Sequence, residues 1–454
     1  MKFVFLFVSL LFIVAHSATL AQTPAEDFYN EGVMRRRSGD TDGAIEYYTK
    51  AIELDPKFAY AYYNRGIARY AKNDAAGAIQ DYSKAIELRP ELSEAYGNRG
   101  NVYSDSGNYI AAMADFDKAI KLKPTNPLTY NSRGFSLQEQ GRLDQAIADY
   151  DIAIKLDAKF VVALHNRGHA RDLKRDFDLA IADYTAALVI DPSYIKSLAN
   201  RGIAYHRRGN YNEALADYGR ALELEPGNKS HHYNRAITRS AVEDFRGAID
   251  DYTKALGDDA NAPSTTPPRR NVYHGRGIAY LRARDYEKSL ADFDKFVELG
   301  PNDSLSYRAR AWVKLCLNDG IGAHKDASES MKRLPPDTSG AYSIIVGFLG
   351  LMKAGQREEA NSFIELWLKQ RKDVSWTTQV IRYFAGKLPE DKLLLLANDN
   401  GTKTEALTYL GESAMFRGDV AAARRYFEWV TQSGNRNYLE YNLAVADLGR
   451  LEVK

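Results

Sequence analysis

Small and aromatic residues recur along the chain at positions 20, 24 and 27 of a repeating unit, the i, i+4, i+7 spacing of one helix face. The stretch YYNRGIARY (Tyr62 to Tyr70) and its variants set unit starts at Ala25, Ala59, Ser93, Pro127, Val161, Ile195 and Lys229, 34 residues apart. Place 20 is Ala44, Ala78, Ala112, Ala146, Ala180, Ala214 and Ala248; place 24 is aromatic from Tyr48 to Tyr252; place 27 is alanine throughout. Place 8 is glycine from Gly32 to Gly202. Each unit reads as two helices. In SGDTDGA (Ser38 to Ala44) a glycine suits a left-handed helix end and an Asp caps the next start, and a proline such as Pro56 or Pro90 closes most units. Small residues at places 8 and 20 let the two helices approach, and the aromatic at 24 fills the space between units.

The period slips once. GDDANAPSTTPPRR (Gly257 to Arg270) inserts seven residues, so 257–269 is expected to be an exposed loop between units 1–7 (22–256) and units 8–9 (270–337), which start at Arg270 and Ser304. Residues 338–403 hold a degenerate tenth unit, about Ala341 to Leu368, then two irregular helices near Trp376 to Ala385 and Pro389 to Ala397. A last unit with Gly411, Ala423 and Phe427 fills 404–454 and ends in a capping helix, Tyr438 to Arg450.

A 34-residue unit with this pattern resembles the tetratricopeptide repeat family. The resemblance implies an all-α solenoid, antiparallel helix pairs stacked into a right-handed superhelix with a concave groove.

An arginine at place 7 and an aspartate at place 23 occur together in units 2 to 9: Arg65 with Asp81, Arg99 with Asp115, Arg133 with Asp149, Arg167 with Asp183, Arg201 with Asp217, Arg235 with Asp251, Arg276 with Asp292 and Arg310 with Asp326. Unit 1 has Glu31 and Tyr47 instead, and unit 10 has Gly347 and Phe363. A pair present or absent as a pair, eight times over, suits a structural ladder of ion pairs rather than a catalytic site.

Place 6 is Asn30, Asn64, Asn98, Asn166, Asn200 and Asn234, with Ser132 once. In the resembled family this place lines the groove, where an amide can donate to and accept from a peptide backbone. Variable neighbours flank it at places 5 and 9: Tyr63 and Ile67, Asn131 and Phe135, His165 and His169, Tyr233 and Ile237. The row suits an extended peptide; the competing reading is that Asn joins neighbouring units with no ligand. HNRGH (His165 to His169) has Asn166 where a zinc-protease helix has Glu, so the histidines read as solvated groove residues and no metal or cofactor is expected. No phosphate loop, nucleophile elbow or isolated carboxylate pair stands out, and no catalytic residue is assigned.

Residues 1–21 read as a secretory signal: Lys2, the apolar run Phe3 to Val14, and Thr19-Leu20-Ala21 as the cleavage site. That run is shorter than the roughly 20 residues of a membrane-spanning helix. Cleavage would leave 60 basic and 60 acidic residues, a balance that argues against nucleic acid. Cys316 is the one cysteine, so no intramolecular disulfide forms and no lipid-anchoring thiol stands near Ala21. A periplasmic or secreted location is expected.

The segments WTTQVIRYFAGKLPEDKLL (Trp376 to Leu394) and ALTYLGESAMFRGDVAAARRYFEWVTQSGNRNYLEYNLAVADL (Ala406 to Leu448) resemble the end of the "new lipoprotein I" type of bacterial envelope adaptor. That resemblance implies partners among peptidoglycan hydrolases and a periplasmic processing protease, and a homodimer. The reading is a non-catalytic exported scaffold that binds protein or peptide partners in its groove; the alternative is a self-associating structural protein of the envelope.

Overall fold

A computed structural model describes residues 23–257, 267–335, 340–371 and 373–452. The signal segment 1–21 and most of the 257–269 loop lie outside the described residues. Those described form twenty-five helices and no strand. Paired as units 1 to 9 they are α1 (Pro24–Arg37) with α2 (Thr41–Leu54), α3 (Ala59–Ala71) with α4 (Ala75–Leu88), α5 (Ser93–Asp105) with α6 (Tyr109–Leu122), α7 (Pro127–Glu139) with α8 (Leu143–Leu156), α9 (Val161–Leu173) with α10 (Phe177–Ile190), α11 (Ile195–Arg208) with α12 (Tyr211–Leu224), α13 (Lys229–Ala241) with α14 (Phe245–Leu256), α15 (Arg269–Arg282) with α16 (Tyr286–Glu298), and α17 (Ser304–Cys316) with α18 (Gly320–Lys332). The remainder are α19 (Ala341–Lys353), α20 (Arg357–Leu368), α21 (Trp376–Phe384), α22 (Glu390–Leu396), α23 (Asn400–Arg417), α24 (Val420–Ser433) and α25 (Leu439–Glu452).

The pairing follows from local chemistry. Asp40, Asp74, Asn108, Asp244, Asp285 and Asp319 each accept a backbone N–H of the second helix's first turn. The turn residue before them must be left-handed. Gly39, Gly107, Gly141 and Gly209 supply it, but Asn73, Arg175, Glu243, Arg284 and Asn318 hold the same conformation with φ of 61° to 67°. A side chain there costs of order 1 kcal/mol, small beside the packing that fixes the turn. Within each pair, a Cβ added at Gly66 would stand 2.8 Å from the Tyr82 ring, and one at Gly100 2.8 Å from Phe116. Glycine at place 8 lets the place-24 ring lie against the first helix in these units, while unit 7 carries Ala236 there in the same core as Tyr252.

By its contacts the chain divides between Ser197 and Leu198, inside α11. In the N-terminal unit the first helices of successive pairs touch: α1 and α3, α3 and α5, α5 and α7, α7 and α9. The second helices make no comparable contact among the described residues, so the first-helix side is the inner one. Its cores are small and local, such as Ala78, Tyr82 and Val102. The C-terminal unit begins with a local core of the same kind, around Ala236, Tyr252 and Val272, and then changes. A single apolar cluster runs from Leu281 to Leu451. Here α25 packs against α17, α23 and α24, so the expected capping helix lies back across two earlier first helices rather than only closing the end.

Candidate functional site

The arginine ladder is assembled from both helices of each pair. Arg65 gives Nε and Nη2 to the two carboxylate oxygens of Asp81 at 2.9 and 2.8 Å. The same two-point contact joins Arg99 to Asp115, Arg133 to Asp149, Arg167 to Asp183, Arg201 to Asp217, Arg235 to Asp251, Arg276 to Asp292 and Arg310 to Asp326. These aspartates are buried. The third arginine nitrogen reaches place 25 of the preceding unit: Arg65 to Thr49, Arg99 to Ser83, Arg133 to Asp117, Arg167 to Asp151 and Arg310 to Asp294, at 2.6 to 3.1 Å. Each of these five guanidinium groups thus closes its own helix pair and ties it to the one before. Sequence spacing alone did not show the second role. Arg276 makes the bond to Thr253 at 3.0 Å although seven inserted residues separate the units, so the stack continues past the insertion.

The asparagines sit on the first helices and also bond backward. Asn64 Nδ2 donates to the Tyr29 hydroxyl at 2.9 Å and to the Tyr60 carbonyl; Asn98 donates to the Tyr63 hydroxyl at 3.1 Å; Asn166 donates to Asn131 Oδ1 at 3.0 Å. Each side-chain acceptor is place 5 of the preceding unit. Among the described residues no partner is found for the Oδ1 of Asn64, Asn98 or Asn166. The amide is therefore fixed by the fold with its acceptor left over. Asn200, Asn234 and Tyr233 are half-buried on α11 and α13, with the Tyr233 ring edge-on to Tyr252. In units 8 and 9 place 6 becomes Gly275 and Ala309. Removing the Tyr63 hydroxyl (Tyr63→Phe) leaves a half-buried Asn98 N–H without its acceptor and is expected to cost about 1 kcal/mol, read as a lower urea midpoint.

The histidines depart from the solvated reading. His165 is buried, its Nδ1 3.1 Å from Ser197 Oγ and its ring against Tyr184 and Tyr194. Burial lowers its pKa to about 4, so it is neutral at neutral pH. His169 turns the other way, with Nδ1 3.1 Å from Gln138 Nε2. The two face different neighbouring units. Together with Ser104 to Ser136 (2.8 Å) and His206 to Thr238 (3.0 Å) they form a row of polar contacts between first helices. Ser104–Ser136 and His206–Thr238 join place 12 to place 10 of the next unit, whereas Gln138–His169 joins places 12 and 9 and His165–Ser197 places 5 and 3, so no single repeating pair of places marks the row. Among the described residues no group of three His, Cys, Asp or Glu side chains could hold a metal ion, and no helix is long and apolar enough to cross a membrane.

In the C-terminal unit the chain's own last helix, α25, lies against α17 and α23. Lys353 Nζ on α19 lies 2.9 Å from Glu412 on α23 and 2.9 Å from Asp447 on α25. Arg282 donates to the carbonyls of Arg436, Asn437 and Tyr438 just before α25, and Arg450 donates to the Cys316 carbonyl. The Cys316 thiol is buried and pushed up to about 12, chiefly by burial, so it is an unreactive packing residue.

Models of the tetratricopeptide repeat match residues 195–228, and 133–195 with 233–304; a "TPR repeat" model matches 32–73, 68–107 and 100–141. A comparison with curated proteins gives no match. Among solved structures, MamA is 28% identical over 36% of this chain and 94% of its own, with a TM-score of 0.33. YrrB, described as a TPR protein with an unusual peptide-binding site, is 27% identical over 40% of this chain and 94% of its own, TM-score 0.33. A tetratricopeptide repeat protein from Parabacteroides merdae is 20% identical over 56% of this chain and 98% of its own, TM-score 0.40.

Proposed function

The chain belongs to the tetratricopeptide repeat family, and on that premise we propose that it is a non-catalytic scaffold whose first-helix face in units 1 to 5 holds an extended segment of a partner protein. The carrying observation is the row Asn64, Asn98 and Asn166, each amide fixed by its bond to the preceding unit. A pre-oriented carbonyl costs little entropy on accepting a peptide N–H. Variable neighbours, Tyr63 and Phe135 among them, would select the partner's side chains. In the C-terminal unit α25 lies against α17 and α23, which supports assigning partner binding to the units before unit 9.

The finer reading is an exported adaptor of the bacterial envelope that brings peptidoglycan hydrolases and a processing protease together. Lys2 with the apolar run Phe3 to Val14 supports export, and the segments Trp376 to Leu394 and Ala406 to Leu448 support the adaptor role.

A photo-crosslinking residue in place of Phe135, 42% exposed on a first helix, tests the site against the same residue in place of Ile110, 88% exposed on a second helix. Products from position 135 are expected to map to one linear segment of a partner and to fall when Asn98→Ala and Asn166→Ala are added, with none from position 110. Equal yields from both positions would place binding elsewhere. Products containing only this chain would favour the self-associating alternative.

A further inference from the structure

The arginine ladder has an empty rung. In six units the third guanidinium nitrogen, Nη1, reaches a threonine, serine or aspartate at place 25 of the preceding unit. Unit 6 carries Gly219 there. Arg235 of unit 7 binds Asp251 through Nε and Nη2 at 2.8 and 2.7 Å, and its Nη1 has no partner among the described residues. Nothing closes the gap. A Cβ added at Gly219 meets no atom within 4 Å, and a cavity of about 720 Å³ opens between α12, α13 and α14. That volume falls in the range of small-molecule sites.

The other polar groups on the cavity are already engaged. Both ring nitrogens of His232 are taken, by Asp251 and by the Pro226 carbonyl. The Thr253 hydroxyl donates to the Ile249 carbonyl and accepts from Arg276. Glu223 is held by Arg220 at 2.7 Å, and Asp251 already serves both Arg235 and Arg239. Arg235 Nη1 and the Lys254 ammonium are left over, and Lys254 makes no ion pair among the described residues. A third cation stands beside the cavity wall, since a Cβ added at Gly257 would lie 3.0 Å from Lys229 Nζ. The spare groups are thus all cationic donors, and the arginine among them is only 17% exposed, where an unmade hydrogen bond is costly.

We propose that this cavity binds a small polyanion, one oxyanion taking the missing rung at Arg235 Nη1 and a second negative charge meeting Lys254. Phosphate and carboxylate present the same kind of acceptor to a guanidinium. The site is separate from the asparagine row and does not depend on the peptide reading.

Calorimetric titration of the chain with pyrophosphate and with citrate, at constant ionic strength, tests this. At least one of the two is expected to saturate a single site, and the tighter of them identifies phosphate or carboxylate as the preferred head. Gly219→Asp supplies the rung that Asp117 and Asp151 provide in other units and should lower the affinity about tenfold or more. Gly219→Ser supplies the hydroxyl of Ser83 without a charge and should lower it about fivefold, whereas Gly219→Ala, of similar bulk but with no acceptor, should lower it less than about twofold. Lys254→Gln, on the exposed side of α14, should lower it about fivefold and serves if a glycine variant does not fold. A loss with aspartate but none with serine beyond that of alanine would report charge repulsion alone and overturn the assignment, as would no saturable binding of either anion or an affinity unchanged in Lys254→Gln.

Discussion

Asp251→Ala is expected to lower stability by about 3–5 kcal/mol, because it removes one partner from a buried charge network. Asp251 is 1% exposed and accepts from Arg235 Nε and Nη2 at 2.8 and 2.7 Å. Arg239 Nη1 stands 2.8 Å from Oδ2, which also takes Arg235 Nε, and His232 Nδ1 is 2.9 Å from Oδ1. Burial works to raise its pKa, yet the Arg235 and His232 hydrogen bonds outweigh burial and hold the carboxyl below its ordinary range. The stabilisation is therefore present above the unfolded pKa and fades as pH falls through the folded one. Alanine would leave two guanidinium groups facing a space closed to water. The ladder is also thinnest here: place 25 of the preceding unit is Gly219, so Arg235 has no side chain to bond backward. Urea unfolding followed by the helical signal should show a lower midpoint for Asp251→Ala, with Asp251→Asn between it and the native chain. An unchanged midpoint for the alanine variant would mean that Asp251 does not hold unit 7 together.

The regular part of this architecture was legible because every contact in it repeats. Arg and Asp sixteen residues apart, present or absent together, could be paired from spacing alone, whereas the Tyr82 ring, expected to fill the space between units, lies against Gly66 of its own unit. What escaped notice depends on residue identity at a single place. His165 occupies the place that is Tyr63 three units earlier, but its ring is drawn between Tyr184 and Tyr194 and bonded to Ser197, so it fastens units together. Arg175 and Glu243 hold a left-handed turn that composition assigns to glycine; only their place in the unit gives them away. The largest omission is the seating of α25. Lys353 meets Asp447 across 94 residues and Arg450 meets Cys316 across 134, and no periodic pattern marks contacts that occur once. The candidate groove shares this division: the asparagine row was visible as a row, whereas its backward bonds to Tyr29, Tyr63 and Asn131 needed the geometry.

One such unrepeated contact gives the second large effect: the C-terminal unit is expected to lose roughly 3 kcal/mol of stability between about pH 4.5 and pH 7. Glu405 is 2% exposed, accepts from Trp376 Nε1 at 2.8 Å and from the Tyr342 hydroxyl at 3.3 Å, and lies near Glu440, 3% exposed and bonded by Tyr409. Burial first, then the Glu440 charge, raise Glu405 from 4.5 to about 7. Between those two values the folded chain keeps a proton that the unfolded chain has released, so raising the pH favours unfolding by about 1.4 kcal/mol per pH unit, and the loss levels off above pH 7. Buried His231 and half-buried His274, whose pKa values burial lowers, push the opposite way below their ordinary range. A difference measurement separates the terms. Glu405→Gln keeps a carbonyl acceptor for Trp376 and removes the titration, so it should exceed the native chain in stability by more at about pH 8 than at about pH 5. Trp312, Trp367, Trp376 and Trp429 all lie in the C-terminal unit, so tryptophan fluorescence during urea unfolding reads that unit directly. A gap between native and Glu405→Gln that does not widen with pH would show that Glu405 ionises in its ordinary range and that the Glu440 neighbourhood is wetter than its burial implies.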